Sequence, residues 1–235
     1  MCGRFTLHSE PDLVADSFEV DLSEIGAYEP RFNIAPQQEI LTLVERDAQR
    51  RVATMRWGLV PHWAKPLAKL PNMINARIET LAEKPAYREP FRRRRCAIVA
   101  DGFYEWQGSD KGKPKQPHWI HRRDRTPFLM AGVWDRWTGG DEEQPPLISC
   151  SIVTEAANAA VAGIHPRMPV ILDPRAITPW LSADNDNASE RLLALLEPLE
   201  AGMLTSYPVS TQVNDPAAEE PRLIQETQPE QASLF

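Results

Sequence analysis

Arg95–Gln107 reads RCAIVADGFYEWQ. Its first half, Cys96–Ala100, is an unbroken apolar run, too short for an ordinary helix and right for a strand buried on both faces. Asp101–Gly102 is a turn dipeptide. Gly102–Gln107 then returns to aromatic, strand-forming residues. The stretch therefore predicts a buried strand, a tight turn and a second strand, which commits the chain to a sheet-based core.

The segments on either side agree. EILTLVER and RVATMRWGLV read as a strand pair around residues 39–60. PHWIHRR, PFLMAGVWDRW, PLISCSIVT and TSYPVSTQV are four further strand candidates. SEPDLVADSFEV has a serine cap, an acidic first turn and helical apolar spacing, which predicts a short helix at about 10–20. NARIETLAEKPAYREP begins helix-like and is broken by Pro85 and Pro90. EAANAAVAGI is short and alanine-rich, stopping at Gly163, while DPRAITPWL and ASERLLALLEPL read as late helices. Strands dominate and no regular βαβ alternation appears. The expected fold is α+β, a single compact domain of mostly antiparallel sheet with short interspersed helices. The domain is expected over residues 1–220, with 221–235 a disordered acidic tail.

Bulk properties narrow the function. At 235 residues one substantial core is expected, and the chain reads as a monomer. No basic segment followed by an apolar run opens the sequence, and nothing approaches the roughly 20 apolar residues of a membrane span. A cytoplasmic, nucleoid-associated protein without membrane contact is the expectation. Cys2, Cys96 and Cys150 form no CxxC pair, so reduced thiols are expected, with no metal and no cofactor. The net charge of −7 is uneven: residues 51–138 hold 18 of the 26 Lys and Arg and 8 of the 33 Asp and Glu. A basic face on an acidic protein can attract nucleic acid.

Cys2 carries the sharpest chemistry. If Met1 is removed, the chain begins with an amine and a thiol on adjacent carbons. An unperturbed α-amine titrates at about 7.7–8.0 and a free thiol at about 8.5, so both keep a useful unprotonated fraction near neutrality. The amine condenses with an aldehyde to an imine, and the thiol closes on the imine carbon to give a thiazolidine. That closure is intramolecular and so has a high effective molarity. Three polar residues sit inside apolar runs: Asn75, Glu105 and His165. Each has a structural reading as well, Asn75 as a helix cap, Glu105 as the exposed side of an alternating strand, and His165 as a satisfied core histidine. An aminothiol needs such helpers, a carboxylate to take the amine proton and an imidazole to protonate an oxygen. Around them, Trp57 and Trp63 flank an apolar turn, where exposed aromatics stack on unpaired bases. Arg4, Arg77 and Arg167 each lie within two residues of a candidate. The run Arg92–Arg95 reads as a solvated helix end.

Eight ordered segments, MCGRF, RFNIAPQQ, RWGLVPHW, MINARIET, RRCAIVADGFYEW, AGVWDRW, HPRMPVIL and YPVSTQVNDP, together resemble the SRAP (SOS-response-associated peptidase) family from Cys2 to about Ile224. The resemblance implies covalent capture of abasic sites in single-stranded DNA. It implies Cys2 as the crosslinking nucleophile, Asn75 as a hydrogen-bonding group at the reacting centre, Glu105 as the acid assisting the amine and His165 as the group acting on the sugar oxygen. Arg4, Asn33, Trp57, Arg77, Trp106 and Arg167 fall on segments associated with holding DNA. The chain departs from the family pattern at Val99, where proline is usual, and at Pro166, where aspartate or asparagine is usual. Pro166 restricts His165 to extended backbone.

Two other classes compete. An N-terminal-nucleophile amidohydrolase of the class II glutamine amidotransferase type also begins MCG and uses its terminal amine as base. A non-catalytic nucleic-acid-binding module would leave Cys2 without a role. In addition, QASLF, with Gln231, Leu234 and Phe235, resembles the bacterial sliding-clamp-binding pentapeptide. An extended tether ending in Leu-Phe suits an apolar groove.

Overall fold

The computed structural model describes residues 2–25, 28–65, 71–108, 114–139, 145–182 and 189–227. Along them run β1 (Arg4–Leu7), α1 (Pro11–Phe18), β2 (Arg31–Ile34), β3 (Glu39–Arg46), β4 (Gln49–Trp57), β5 (Asn75–Arg77), α2 (Arg88–Arg93), β6 (Arg95–Ala100), β7 (Gly102–Gln107), β8 (Gln116–Arg122), β9 (Phe128–Trp137), β10 (Leu147–Ala156), β11 (Arg167–Pro169), α3 (Pro174–Leu181), α4 (Ser189–Leu195) and β12 (Leu204–Pro208). The first sheet is antiparallel in the order β12-β8-β7-β1-β2. In the second, β10, β4, β3, β6 and β9 pair in turn, and β9 pairs back to β10, so these five strands close into a ring. β11 and β5 extend β10 beyond that ring. The α+β class with mostly antiparallel strands is as expected. The parallel pairings described are those of β10 with β4 and with β5.

β6 is buried at every residue, as its apolar run predicted. Asp101–Gly102, however, does not close a hairpin. β6 lies in the second sheet and β7 in the first, so the turn is the hinge by which the chain changes sheets. Asp101 fixes that hinge: its Oδ2 accepts from the Ser9 backbone N–H at 2.8 Å and its Oδ1 from Ser9 Oγ at 2.5 Å. Gly102 is required by close approach, since a Cβ there would lie 2.5 Å from Trp119 Nε1 and 2.9 Å from the Ile120 carbonyl.

Three further expectations are corrected. NARIET opens as strand β5, followed by a single 3-10 turn at Ile78–Thr80, because Asn75–Arg77 finds a backbone partner in β10. EAANAAVAGI forms the end of β10 and then turns, not a helix. Arg92–Arg95 is not simply a solvated helix end, because Arg95 is buried and its guanidinium donates to the carbonyls of Phe91, Arg92, Trp180 and Ser182. It ties the last turns of α2 and α3 together, and a buried charge held this way is costly to orphan, at about 3–5 kcal/mol.

The domain also runs past residue 220. Leu223 is fully buried, and the Thr227 N–H donates to the Pro208 carbonyl at 2.9 Å. The acidic composition here conceals an apolar plug. Val209, Val213 and Leu223 pack with Tyr104 and Trp119 on the outer face of the first sheet. The sheet's other face, with Phe5, Phe103 and Ile120, joins the main core. Gln231, Leu234 and Phe235 of the clamp-like motif lie outside the described residues.

Candidate active site

Strand alternation puts Glu105 on the same face of β7 as Phe103, turned towards the second sheet. β1 runs antiparallel beside β7 with Arg4 opposite Tyr104, which carries the residues before Arg4 towards Glu105. From the opposite sheet, β5 supplies Asn75 and the turn before β11 supplies His165. The candidate site therefore lies in the crevice between the sheets. Gln107 Nε2 donates to the Gly163 carbonyl at 3.1 Å, tying the end of β7 to the loop that carries His165.

Cys2 is fully buried, its Sγ 3.8 Å from the Arg4 carbonyl. Asn75 Nδ2 donates to the Cys2 carbonyl at 2.8 Å. Asn75 Oδ1 is buried and accepts no hydrogen bond among the described residues. Burial pushes the Cys2 thiol up, and the negative charge of Glu105 pushes it the same way. Burial likewise raises the Glu105 carboxyl above the ordinary carboxylate range, opposed by the positive charge of His165. The Glu105 and His165 side chains approach to 3.8 Å, Oε1 to Nδ1. Thus neither structural reading of Asn75 or Glu105 holds: Asn75 is not a helix cap, and Glu105 is 2% exposed. Cys2, Asn75, Glu105 and His165 come from four separate stretches into one cluster.

The residues expected to hold DNA divide. Asn33 is fully buried, with Nδ2 donating to the carbonyls of Asp215 at 2.8 Å and Ala218 at 2.9 Å. Arg4 donates to Asn33 Oδ1 at 3.0 Å and to the Val213 carbonyl at 2.7 Å. These two clasp residues 213–218 onto the first sheet. Trp57 is fully buried, edge-on to Phe5 and donating from Nε1 to the Ile74 carbonyl at 2.9 Å, so it offers no stacking surface. The neighbouring Trp63 is 57% exposed instead. Its loop is pinned to buried Asp135, which accepts from both His62 N and His62 Nδ1 at 2.9 Å, and to Trp137, whose Nε1 donates to the Ala64 carbonyl at 2.7 Å. Arg77 is exposed at the end of β5. Trp106 is half-buried and donates to Asn214 Oδ1 at 2.8 Å.

Arg167 is engaged by Glu79 and by the Thr154 carbonyl, and Glu79 was not singled out from the sequence. Glu155 was also missed. It is 5% exposed, its Oε1 has no hydrogen-bond partner, and burial pushes its carboxyl up to about 7 despite the opposing pull of Arg167. Neither acid carries a signal in a single sequence, since both look like ordinary charged positions at the ends of strands.

Among the described residues no group of three or more His, Cys, Asp or Glu is placed to hold a metal ion, and no helix is long and apolar enough to cross a membrane. Residues 1–216 match the family model described as SOS response associated peptidase (SRAP). The chain is 42% identical over 227 residues to abasic site processing protein YoqW of Bacillus subtilis, covering 96% of this chain and 99% of that one. It is 32% identical over 234 residues to abasic site processing protein YedK of Escherichia coli, covering 96% and 99%. A crystal structure of a protein from Bacteroides thetaiotaomicron superposes with a TM-score of 0.83 at 25% identity, covering 97% of this chain and all of that one.

Proposed function

The chain belongs to the SOS response associated peptidase (SRAP) family, and from that premise we propose that it captures abasic sites in single-stranded DNA by a covalent bond to Cys2. Two lines support this: the names of its relatives YoqW and YedK as abasic site processing proteins, and the convergence on Cys2 of an amide, a buried carboxylate and an imidazole. The observation that carries the reading is the Asn75 Nδ2 hydrogen bond to the Cys2 carbonyl. It anchors the backbone of the nucleophile, so that the amine and thiol of the trimmed chain have a fixed position.

The sequence of steps follows from the proton affinities. The Cys2 thiol is held protonated by burial and by Glu105, so the amine is the first nucleophile. Once Met1 is gone, the Cys2 amine adds to C1′ of the ring-opened deoxyribose. Glu105, whose affinity for a proton is raised by its burial, accepts the amine proton. His165 protonates the oxygen to give the carbinolamine, and transfer of the second nitrogen proton to that hydroxyl through the same two groups releases water and leaves the imine. The thiol sulfur then bonds to the imine carbon while its proton passes to the nitrogen, closing the thiazolidine. This product lacks the imine that drives strand cleavage by β-elimination, so the site is shielded. By microscopic reversibility the same two groups catalyse release. Arg77 and Trp63 are the exposed groups suited to the flanking phosphates and bases. Trp106 packs against the aromatic cluster on the outer face of the first sheet instead.

The test uses purified protein whose intact mass confirms loss of Met1. Incubation with an abasic single strand should give a band that survives denaturation, and Cys2→Ala should give none. Equal bands from the two proteins would sink the reading. QASLF adds a partner proposal, docking of Leu234 and Phe235 into the groove of a sliding clamp. Capture of the protein by immobilised clamp should disappear when residues 231–235 are deleted.

A further inference from the structure

Arg167 is the busiest cation beside the candidate site. Its Nη1 pairs with Glu79 Oε1 and its Nη2 with Glu79 Oε2 at 3.0 Å, a two-pronged contact. Nη2 also donates to the Thr154 carbonyl at 2.6 Å. Glu79 lies in the 3-10 turn that directly follows β5, the strand of Asn75, whereas Arg167 opens β11 two residues after His165. The fork therefore braces the segment carrying Asn75 against the segment carrying His165. A planar guanidinium held at both nitrogens has its orientation fixed as well as its position. The pairing with Arg167 also holds the Glu79 carboxyl below the usual carboxylate range.

The backbone of the same arginine flanks the imidazole. The Arg167 N–H lies 3.0 Å from His165 Nδ1, and the Arg167 carbonyl oxygen also lies 3.0 Å from it. The neutral ring can accept that N–H and carry its proton on Nε2. The protonated ring can donate Nδ1–H to the carbonyl. One residue thus serves both charge states of the ring without displacing a heavy atom, provided its backbone stays in place.

We propose that Glu79 is a positioning residue for the capture reaction: by gripping the Arg167 side chain it holds the Arg167 backbone against His165 Nδ1 and so directs Nε2 to the sugar oxygen. This rests on the crosslinking role proposed above for His165. A rival role for Glu79 is a brake that keeps Arg167 away from a DNA phosphate, and the two predict opposite results.

The experiment compares wild type, Cys2→Ala, Glu79→Gln and Arg167→Lys, all with Met1 removed, on an abasic single strand between about pH 5.5 and 8.5. Adduct formation by wild type and its absence in Cys2→Ala establish the capture reaction independently of Glu79. Glu79→Gln should then slow adduct formation about tenfold and displace its pH profile. Arg167→Lys keeps the charge but loses the fork, and should show the same loss. The ring nitrogens of His165, followed by 15N NMR in the DNA-free protein, should move in Glu79→Gln from one Nε2–H tautomer to a mixture. That measurement remains decisive for Glu79 even if wild type forms no adduct. A wild-type rate and pH profile in Glu79→Gln, with tighter binding to intact single strands as its sole effect, would establish the brake and overturn the proposal. So would an unchanged His165 spectrum.

Discussion

Asn75, in the crevice between the sheets, and Asn33, on the outer face of the first sheet, show how an amide can serve two ends. In the crevice between the sheets, Asn75 spends its N–H on the Cys2 carbonyl and leaves Oδ1 buried without a partner among the described residues. On the outer face of the first sheet, Asn33 accepts from Arg4 and donates to the Asp215 and Ala218 carbonyls, leaving nothing over. A polar group that is fully satisfied inside the protein is holding the fold together. One left wanting inside a folded protein incurs a cost of about 1–3 kcal/mol, and such costs collect where a substrate supplies the missing partner. The crevice also holds the carboxyl raised by burial, Glu105. The outer face holds an aromatic plug and a clasp.

The largest effect expected from that contrast is on rate. Glu105→Gln should slow adduct formation by about 10²–10⁴-fold, the range of a lost general base, with no loss of thermal stability, because a buried acid with a raised pKa contributes none. Single-turnover gel kinetics and a melting curve on the same sample check both halves. Next come the two asparagines, which should dissociate. Asn33→Ala orphans the Asp215 and Ala218 carbonyls and leaves Arg4 only the Val213 carbonyl, and should cost about 2–4 kcal/mol in urea unfolding while the surviving folded protein reacts at the normal rate. Asn75→Ala should cost about 1 kcal/mol in stability and slow the reaction at least tenfold. If both variants lose only stability, the distinction between the two faces collapses.

The smallest effect concerns Glu155, whose Oε1 is also unsatisfied and whose carboxyl is pushed up to about 7 from an ordinary 4.5. Below the ordinary value both folded and unfolded chains keep the proton, and the residue is neutral towards stability. Between there and about pH 7 the unfolded chain releases its proton first, so stability falls as pH rises; above about 7 the penalty is constant. Glu155→Gln, which imitates the protonated acid, should therefore raise the melting temperature at pH 8 and leave it unchanged at pH 4. The gain at pH 8 has an upper bound of about 3 kcal/mol. A parallel change in adduct rate would extend the rule about unsatisfied groups to Glu155; its absence would confine the rule to Asn75.

Much of this architecture was legible in the amino-acid sequence, and the failures are instructive. Long apolar runs such as Cys96–Ala100 announced buried strands because burial on both faces leaves no room for polar residues. Short strands did not: Arg4–Leu7, Arg31–Ile34 and Asn75–Arg77 have three or four residues each and are strands because of their partners, not their composition. Asp101–Gly102 was read correctly as a turn between two strands, but local turn chemistry does not say which sheet receives the next strand. Of the candidate site residues, Cys2 was legible from its place behind Met1 and Asn75, Glu105 and His165 as polar groups in apolar runs, and the family resemblance joined the four. Trp57 and Trp63 were both offered as stacking surfaces and only Trp63 is exposed, because exposure depends on which side of the turn the rest of the fold covers. Asn33 and Arg4 were read as DNA contacts because their partners, residues 213–218, lie about 200 positions away and have no signature of their own.

That clasp also sets an order of events. Arg4 is held by the Val213 carbonyl, 209 residues along the chain. On a ribosome making about 5–20 residues per second, the first strand waits roughly 10–40 s for its lock. During that interval the leading end lacks its lock, whereas in the folded protein Cys2 is fully buried. On the reading proposed above, removal of Met1 belongs to this interval, before the contact between Arg4 and Val213 locks the first strand, and the long-range contact then acts as a timer for maturation.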